Sequence, residues 1–302
     1  MENDARLKSA FTAIVGRPSA GKSTLLNKMC GEKVAIVSKV PQTTRNAIRG
    51  IVNREQGQLV FIDTPGRHSS EKKMNKKLME VSSRALAESD LVLYVLDGCR
   101  APGAEEEEIA ALILPLISKT IAAVNKMDVE GADFNRAKNF ILEKLPALKE
   151  ENIFAISAAV GSGIDELLTA LFNIAPVGQP LYDAEYYTDQ DTEFRIAEII
   201  REQAINRLRQ ELPHSLYVSI EDLEFNEEKN ELWVRAFIIV ERESQKGMVV
   251  GKGGEMIKAI RLTSLKNLKN IFDWKINLDL RVKTGKDWRQ KDHTLRKIID
   301  RN

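Results

Sequence analysis

The segment Gly16-Arg-Pro-Ser-Ala-Gly-Lys-Ser23 leaves this chain few folds to choose from. It has the spacing G-x-x-x-x-G-K-S and stands between an apolar run, Ala10–Val15, and a helical pattern, Gly21–Cys30. Glycines at that spacing let backbone N–H groups turn inward around phosphate oxygens, and the following helix N-terminus adds positive potential. Gly16, Arg17, Pro18, Ser19, Ala20, Gly21 and Thr24 are then expected to line the phosphates. Lys22 would reach the β- and γ-phosphates, and the Ser23 hydroxyl would ligate Mg²⁺.

A strand, a glycine loop and a helix in that order demand an α/β sheet, and the pattern to about residue 175 supplies one. Strands are expected at Ala10–Val15, Leu59–Ile62, Leu91–Leu96, Thr120–Val124 and Ile153–Ile156. Helices are expected between them at Gly21–Cys30, Glu71–Ala87, Glu105–Ile117, Asp133–Leu145 and Gly163–Phe172. Leu91-Val-Leu-Tyr-Val-Leu96 has no polar alternation, so both faces are buried, as parallel sheets require. Ile48–Glu55 does alternate, which suits an antiparallel edge strand forming a hairpin with Leu59–Ile62. The fold class is thus an α/β P-loop domain, mostly parallel with one antiparallel edge, over residues 8–178.

Three further segments end strands of this sheet. Asp63-Thr64-Pro65-Gly66 puts a carboxylate near the metal and the Gly66 N–H near a γ-phosphate. Lys22 and Gly66 are the groups expected to act on the reacting phosphate. Asn125-Lys126-Met-Asp128 follows the strand Thr120–Val124. The Asp128 carboxylate can accept from N1–H and the 2-amino group of guanine, whereas adenine would oppose it with a lone pair. Ser157-Ala158-Ala159 suits a loop whose backbone N–H meets the guanine oxygen. GTP and GDP are therefore the expected substrate and product.

Pro176-Val-Gly-Gln-Pro180 ends the alternation, and residues 179–192 are expected as a linker. From 193 to 302 the order becomes α-β-β-α-α-β: a helix Thr192–Glu211, strands Leu216–Leu223 and Leu232–Val240, helices around Gly251-Lys252-Gly253-Gly254, and a strand near Ile276–Val282. A G-x-x-G turn between helices lets backbone approach a single strand closely, with Lys252 and Lys258 meeting phosphate. Lys258, Arg261, Lys266 and Lys269 extend a positive face. The net charge of +1 conceals this: residues 181–245 hold 7 basic against 16 acidic side chains, residues 246–302 hold 15 against 6. Trp233 is expected in the core, and Trp288 as either an RNA contact or a tail anchor. Cys30 and Cys99 are too few for a disulfide framework or a cysteine zinc site and are expected as small core residues. The longest apolar stretch, Ile109–Leu116, cannot span a bilayer, and the charged N-terminus is no signal peptide, so a cytoplasmic location is expected.

The nucleotide motifs in this order resemble the translation-factor-type GTPases, and the resemblance makes Pro41-Gln-Thr-Thr-Arg45 a first switch. It implies that Thr43 or Thr44 closes on Mg²⁺ beside Ser23 and Asp63; the sequence leaves both open. The C-terminal part resembles a type II KH domain, which implies RNA binding by Gly251, Lys252, Gly253, Gly254 and Lys258. Val40-Pro-Gln-Thr-Thr-Arg45, Phe194–Glu202, Val240–Lys246 and Val282–Arg289 together make the whole chain resemble the Era-type ribosome-assembly GTPases of the TrmE-Era-EngA-like group. That resemblance implies binding to the 3′ end of small-subunit (16S) rRNA and to the 30S precursor during maturation. It implies no DNA partner and a monomer, with a peripheral place on the cytoplasmic face of the inner membrane in some relatives. Two departures matter. Ser19-Ala20 stands where the family has Asn-Val, removing a side chain that supports potassium-stimulated hydrolysis in relatives. Arg67 and His68 follow Gly66 where some GTPases carry a water-orienting Gln, so slow intrinsic turnover is expected.

Overall fold

The computed structural model describes residues 7–41, 43–66, 73–209 and 211–299. The chain divides into two units, Met1–Ala35 with Pro41–Asp189, and Ile36–Val40 with Gln190–Asn302. The first is built on a six-stranded sheet in the order β2-β3-β1-β4-β5-β6. These strands are β1 (Lys8–Val15), β2 (Ile48–Arg54), β3 (Gly57–Asp63), β4 (Leu91–Asp97), β5 (Thr120–Asn125) and β6 (Ile153–Ala155). Only β2 runs antiparallel, paired with β3 from Ile48 opposite Asp63 to Arg54 opposite Gly57. The continuous apolar runs behave as expected: every residue of β3, β4 and β5 is buried.

Helices α1 (Lys22–Cys30), α2 (Lys73–Glu88), α3 (Ala104–Ile113), α4 (Phe134–Lys144) and α5 (Ile164–Ile174) complete the unit. One core cluster joins Val92, Tyr94 and Leu96 of β4 to Ile109 and Ile113 of α3 and to Ile141 of α4. Helix α3 stops four residues before the expected Ile117, because Pro115 cannot supply the next N–H; a 3-10 turn, Leu114–Lys119, takes over. The expected linker is held for most of its length against the edge hairpin. Gln58 Oε1 accepts the N–H groups of Leu181 and Tyr182, Tyr187 O accepts from Ile51 N, and Arg49 pairs with Asp189 at 2.8 Å. Cys30 and Cys99 are half-buried rather than core residues, and burial pushes the Cys30 thiol up to about 12.

The second unit has α6 (Thr192–Ile205), β7 (Tyr217–Asn226), β8 (Glu231–Val240), α7 (Glu243–Val250), α8 (Glu255–Leu268), β9 (Lys275–Thr284) and α9 (Asp292–Ile299). Its sheet runs β7-β8-β9, with β7 antiparallel and β9 parallel to β8. Helix α6 is capped by Asp191, which accepts the Phe194 N–H at 2.6 Å. It ends at Ile205 instead of the expected Glu211. The Ala204 carbonyl takes both the Arg207 and Leu208 N–H groups, and the chain then turns Leu208 and Leu212 into the core. Strand β7 runs to Asn226, three residues past expectation, before a turn closed by Asn230 at φ 48°. Val37, in the short segment assigned to this unit, donates its N–H to the buried carboxylate of Glu202 at 2.8 Å.

The tryptophans divide differently from expectation. Trp233 is half-buried on the sheet surface with the Arg235 guanidinium 4.8 Å from its ring, so it is not core; the strand alternation places it on the outward face. Trp288 is the buried anchor: it is 1% exposed, donates Nε1–H to Ser215 O at 3.0 Å and packs edge-on against Tyr217. Helix α9, with Leu295 and Ile299 buried, was legible only as a basic tail. We predict that Trp288→Ala costs the second unit about 3–5 kcal/mol, read as an earlier urea transition in circular dichroism of the whole chain.

Candidate nucleotide and RNA sites

The loops after β1, β3 and β5 leave the carboxyl ends of parallel strands on one edge of the sheet, where open α/β sheets bind ligands. The loop after β1 turns through Gly21, which caps α1 at φ 95°; a Cβ there would lie 2.3 Å from Asn125 Nδ2. Lys22, 6% exposed, folds back over this loop and donates to Gly16 O at 2.8 Å and Arg17 O at 3.0 Å. Burial lowers its pKa, while Asp63 and Glu105 pull in the opposite sense.

Three oxygens meet behind Lys22. Ser23 Oγ donates to Asp63 Oδ2 at 2.5 Å, Thr44 Oγ1 lies 3.2 Å from the same oxygen, and the two hydroxyls are 2.9 Å apart. The threonine that joins this cluster is Thr44; Thr43 lies half-buried beside it in sequence. Asp63 is wholly buried, and burial raises its pKa against the opposing effects of Lys22, Ser23 and Thr44. Its Oδ1 is buried without a hydrogen-bond partner among the described residues. A lone carboxylate with an orphaned oxygen and two hydroxyls suits a hard cation such as Mg²⁺ that also binds phosphate. No group of three or more His, Cys, Asp or Glu side chains among the described residues could hold a metal by itself.

Thr64 Oγ1 donates to Ile14 O at 2.9 Å, and Pro65 O accepts from Ser82 Oγ at 2.8 Å, fixing the segment that presents Gly66. Gly66 approaches Pro18 so closely that a Cβ would sit 2.8 Å from its nitrogen. Arg67, His68 and Gln42 lie outside the described residues.

Asn125 ties the remaining loops together. Its Nδ2 donates to Ala20 O at 2.9 Å, and its Oδ1 accepts the N–H groups of Lys126 at 2.8 Å and Ala158 at 2.9 Å. The Asp128 carboxylate is exposed and accepts a hydrogen bond from the Ser157 hydroxyl. Ser157 and Ala158 are buried and Ala159 is exposed. The structure therefore gathers the phosphate loop, the carboxylate–hydroxyl cluster and the Asn125 and Ser157 loops on one edge of the sheet.

In the second unit, Gly251, Gly253 and Gly254 all have positive φ (75°, 60° and 82°), a path open to glycine, between α7 and α8. Lys252 and Lys258 are exposed. Arg261 is half-buried, with its Nε donating to Leu278 O at 2.6 Å. The sequence reading missed Met248 and Leu262, 56% and 52% exposed on the helices flanking the loop. Their signal was present as apolar residues out of phase with the buried Val249 and Ile260.

Residues 11–126 match the family described as 50S ribosome-binding GTPase, and residues 211–289 match the KH domain. GTPase Era of Treponema denticola is 52% identical over 292 residues, covering 97% of this chain and 99% of that protein. GTPase Era of Borreliella burgdorferi is 44% identical, covering 97% and 100%. The chain belongs to the GTPase Era family. Its structure is similar to that of an Aquifex aeolicus Era variant bound to GDP·AlF4⁻ (TM-score 0.91, 34% identity, 96% of this chain and 98% of that one). It is equally similar to Era in complex with MgGDPNP and nucleotides 1506–1542 of 16S ribosomal RNA (TM-score 0.91, 34% identity, 96% and 98%). The chain is accordingly a GTPase that uses Mg²⁺ and guanine nucleotide, with a P-loop domain followed by a KH domain.

The geometry sets Thr44 in the Ser23–Asp63 cluster. Thr44→Ala should raise the Mg²⁺ concentration needed for half-maximal GTP turnover by about tenfold or more, and Thr43→Ala should raise it less. A magnesium titration of steady-state phosphate release measures both.

Proposed function

We propose that this chain is a guanine-nucleotide switch that grips the 3′ end of 16S rRNA and assists maturation of the 30S precursor. The observation that carries the switch is the convergence of Ser23, Thr44 and Asp63, since it joins the Thr43–Thr44 segment to the phosphate loop. A segment held by the γ-phosphate and its cation, and released on hydrolysis, is a two-state element of known type. When bound, Mg²⁺ would supply positive charge to the phosphates, held by Ser23, Thr44 and Asp63.

The chain's own groups do the rest. Backbone from Gly16 to Thr24 wraps the phosphates, with Lys22 redirected from its loop carbonyls to their oxygens. The Gly66 N–H meets the γ-phosphate, with Thr64 and Pro65 setting its position. Asp128 reads the guanine edge, Asn125 and Lys126 frame the ring, and Ser157, Ala158 and Ala159 close over it. Intrinsic turnover is slow, because Arg67 and His68 follow Gly66 where some GTPases carry a water-orienting Gln. In the second unit Gly251, Lys252, Gly253, Gly254 and Lys258 clamp single-stranded RNA, supported by three positive-φ glycines that bare the backbone.

The protein acts as a cytoplasmic monomer without a DNA partner. A peripheral place on the inner membrane would draw on the same basic stretch, 246–302, against anionic headgroups. Equal affinity and equal salt slopes for vesicles and RNA would favour that second reading.

Two measurements test the proposal. A 3′-terminal 16S rRNA oligonucleotide should bind with different affinity in GDP and in a non-hydrolysable GTP analogue, and linkage requires the reciprocal effect on nucleotide; identical affinities in both states would remove the switch. Asp128→Asn should shift preference from guanine towards xanthine nucleotides, because an amide donates where the carboxylate accepts. The lost charge-assisted pairing should weaken GDP binding by about tenfold or more, measured by calorimetry.

A further inference from the structure

Asp97, the last residue of β4, touches two nucleotide loops at once. Its Oδ2 accepts from Arg17 Nη2 at 3.1 Å and from Lys126 Nζ at 2.7 Å, while its Oδ1 takes the Cys99 N–H at 2.9 Å. Arg17 belongs to the phosphate loop, and its Nε lies 2.9 Å from Glu106 Oε1. The other Glu106 oxygen accepts the Gly103 N–H at 2.9 Å, so this carboxylate is anchored in the cap of α3. Arg17, Asp97 and Glu106 are 4%, 5% and 5% exposed.

Two cations and two carboxylates make a neutral cluster, the condition under which such groups tolerate burial. Burial pushes the Asp97 carboxyl up, but the Lys126 bond, the Cys99 N–H and the charges of Lys126 and Arg17 outweigh it and hold the group below its ordinary value. It therefore remains an anion able to hold both partners.

The sheet order explains why one residue can do this. β4 lies between β1 and β5, whose following loops carry Arg17 and Lys126 respectively. A side chain at the carboxyl end of the middle strand can reach both. A nucleotide has a fixed span between phosphate and base, so its affinity depends on the separation of the loops that grip its two ends. We propose that Asp97 is a positioning residue that sets the phosphate loop and the base-reading loop in register, holding Arg17 and Lys126 on a single carboxylate oxygen. This rests on the reading of Asn125, Lys126 and Asp128 as the guanine-recognising segment. Asn125 makes a second tie between the loops through Ala20, but to backbone, and it carries no charge.

Glu106 provides the control. It shares Arg17 with Asp97 but is bonded to the cap of α3 rather than to Lys126. Affinities of the full chain for GDP, IDP and ADP should be measured by calorimetry for wild type, Asp97→Asn and Glu106→Gln. Asp97→Asn should weaken GDP binding by about tenfold and narrow the preference for GDP over IDP, which lacks the 2-amino group. Its KM for GTP should rise more than its kcat falls. Glu106→Gln should weaken GDP and IDP alike and keep their ratio. If Asp97→Asn fails to fold, Asp97→Glu keeps the charge but lengthens the arm, and should narrow the same ratio.

An unchanged GDP-to-IDP ratio in the Asp97 variant, or equal narrowing in Glu106→Gln, would reduce Asp97 to a structural ion pair and overturn the inference alone. A wild-type chain that does not prefer GDP over ADP would instead remove the base-reading assignment beneath it.

Discussion

A wholly buried carboxylate, that of Asp63, is the constraint around which the nucleotide edge of the sheet is organised. A charge taken out of water at the end of a strand must be met by partners or give up its ionisation. Ser23 and Thr44 donate to one of its oxygens, and Lys22 contributes positive charge from the first turn of α1. The other oxygen stays unpaired among the described residues, which suits a cation-binding position better than an ordinary core position. The arrangement links three stretches distant in sequence, so a change in how Asp63 is compensated is felt in the Thr44 segment and in α1 together.

The sheet and its ligand edge were legible in the sequence because two independent signals agreed. Strands such as Leu91–Asp97 are apolar without alternation, and the glycine loop can only follow a strand and precede a helix. Element ends were less legible, for reasons that are local. Pro115 cut α3 short by removing a donor, whereas α6 ended where Leu208 and Leu212 had to turn inward, a tertiary demand that helical spacing does not record. The choice between Thr43 and Thr44 was not readable at all, since adjacent residues of one type in a loop differ only in which way the backbone points them.

In the second unit the sequence carried the glycines but not the disposition of the large side chains. Trp233 sits in an apolar strand, yet period-two alternation turns it outward under Arg235, while Trp288 in a charged stretch is buried through its bond to Ser215 O. Arg261 also donates its Nε–H to the Leu278 carbonyl, a backbone acceptor that charge counting cannot see.

Two of the four non-glycine residues with positive φ among those described lie in the proposed nucleotide loops, the other two being Asn230 and Asp287 in the second unit. Ser19 and Lys126 hold φ values of 64° and 69° in the loops proposed to meet phosphate and base. Such conformations cost about 1–2 kcal/mol each and persist only when their surroundings over-determine them. The surroundings here do so. Ser19 lies between Arg17, gripped by Asp97 and Glu106, and Ala20, whose carbonyl is held by Asn125. Lys126 is held at its N–H by the Asn125 side chain and at its Nζ by Asp97. The same carboxylate and the same amide thus restrain both strained residues. Neutralising Asp97 would remove one restraint from each loop at once, and relaxation of either residue towards the ordinary helical region would move the groups meant to meet phosphate and base.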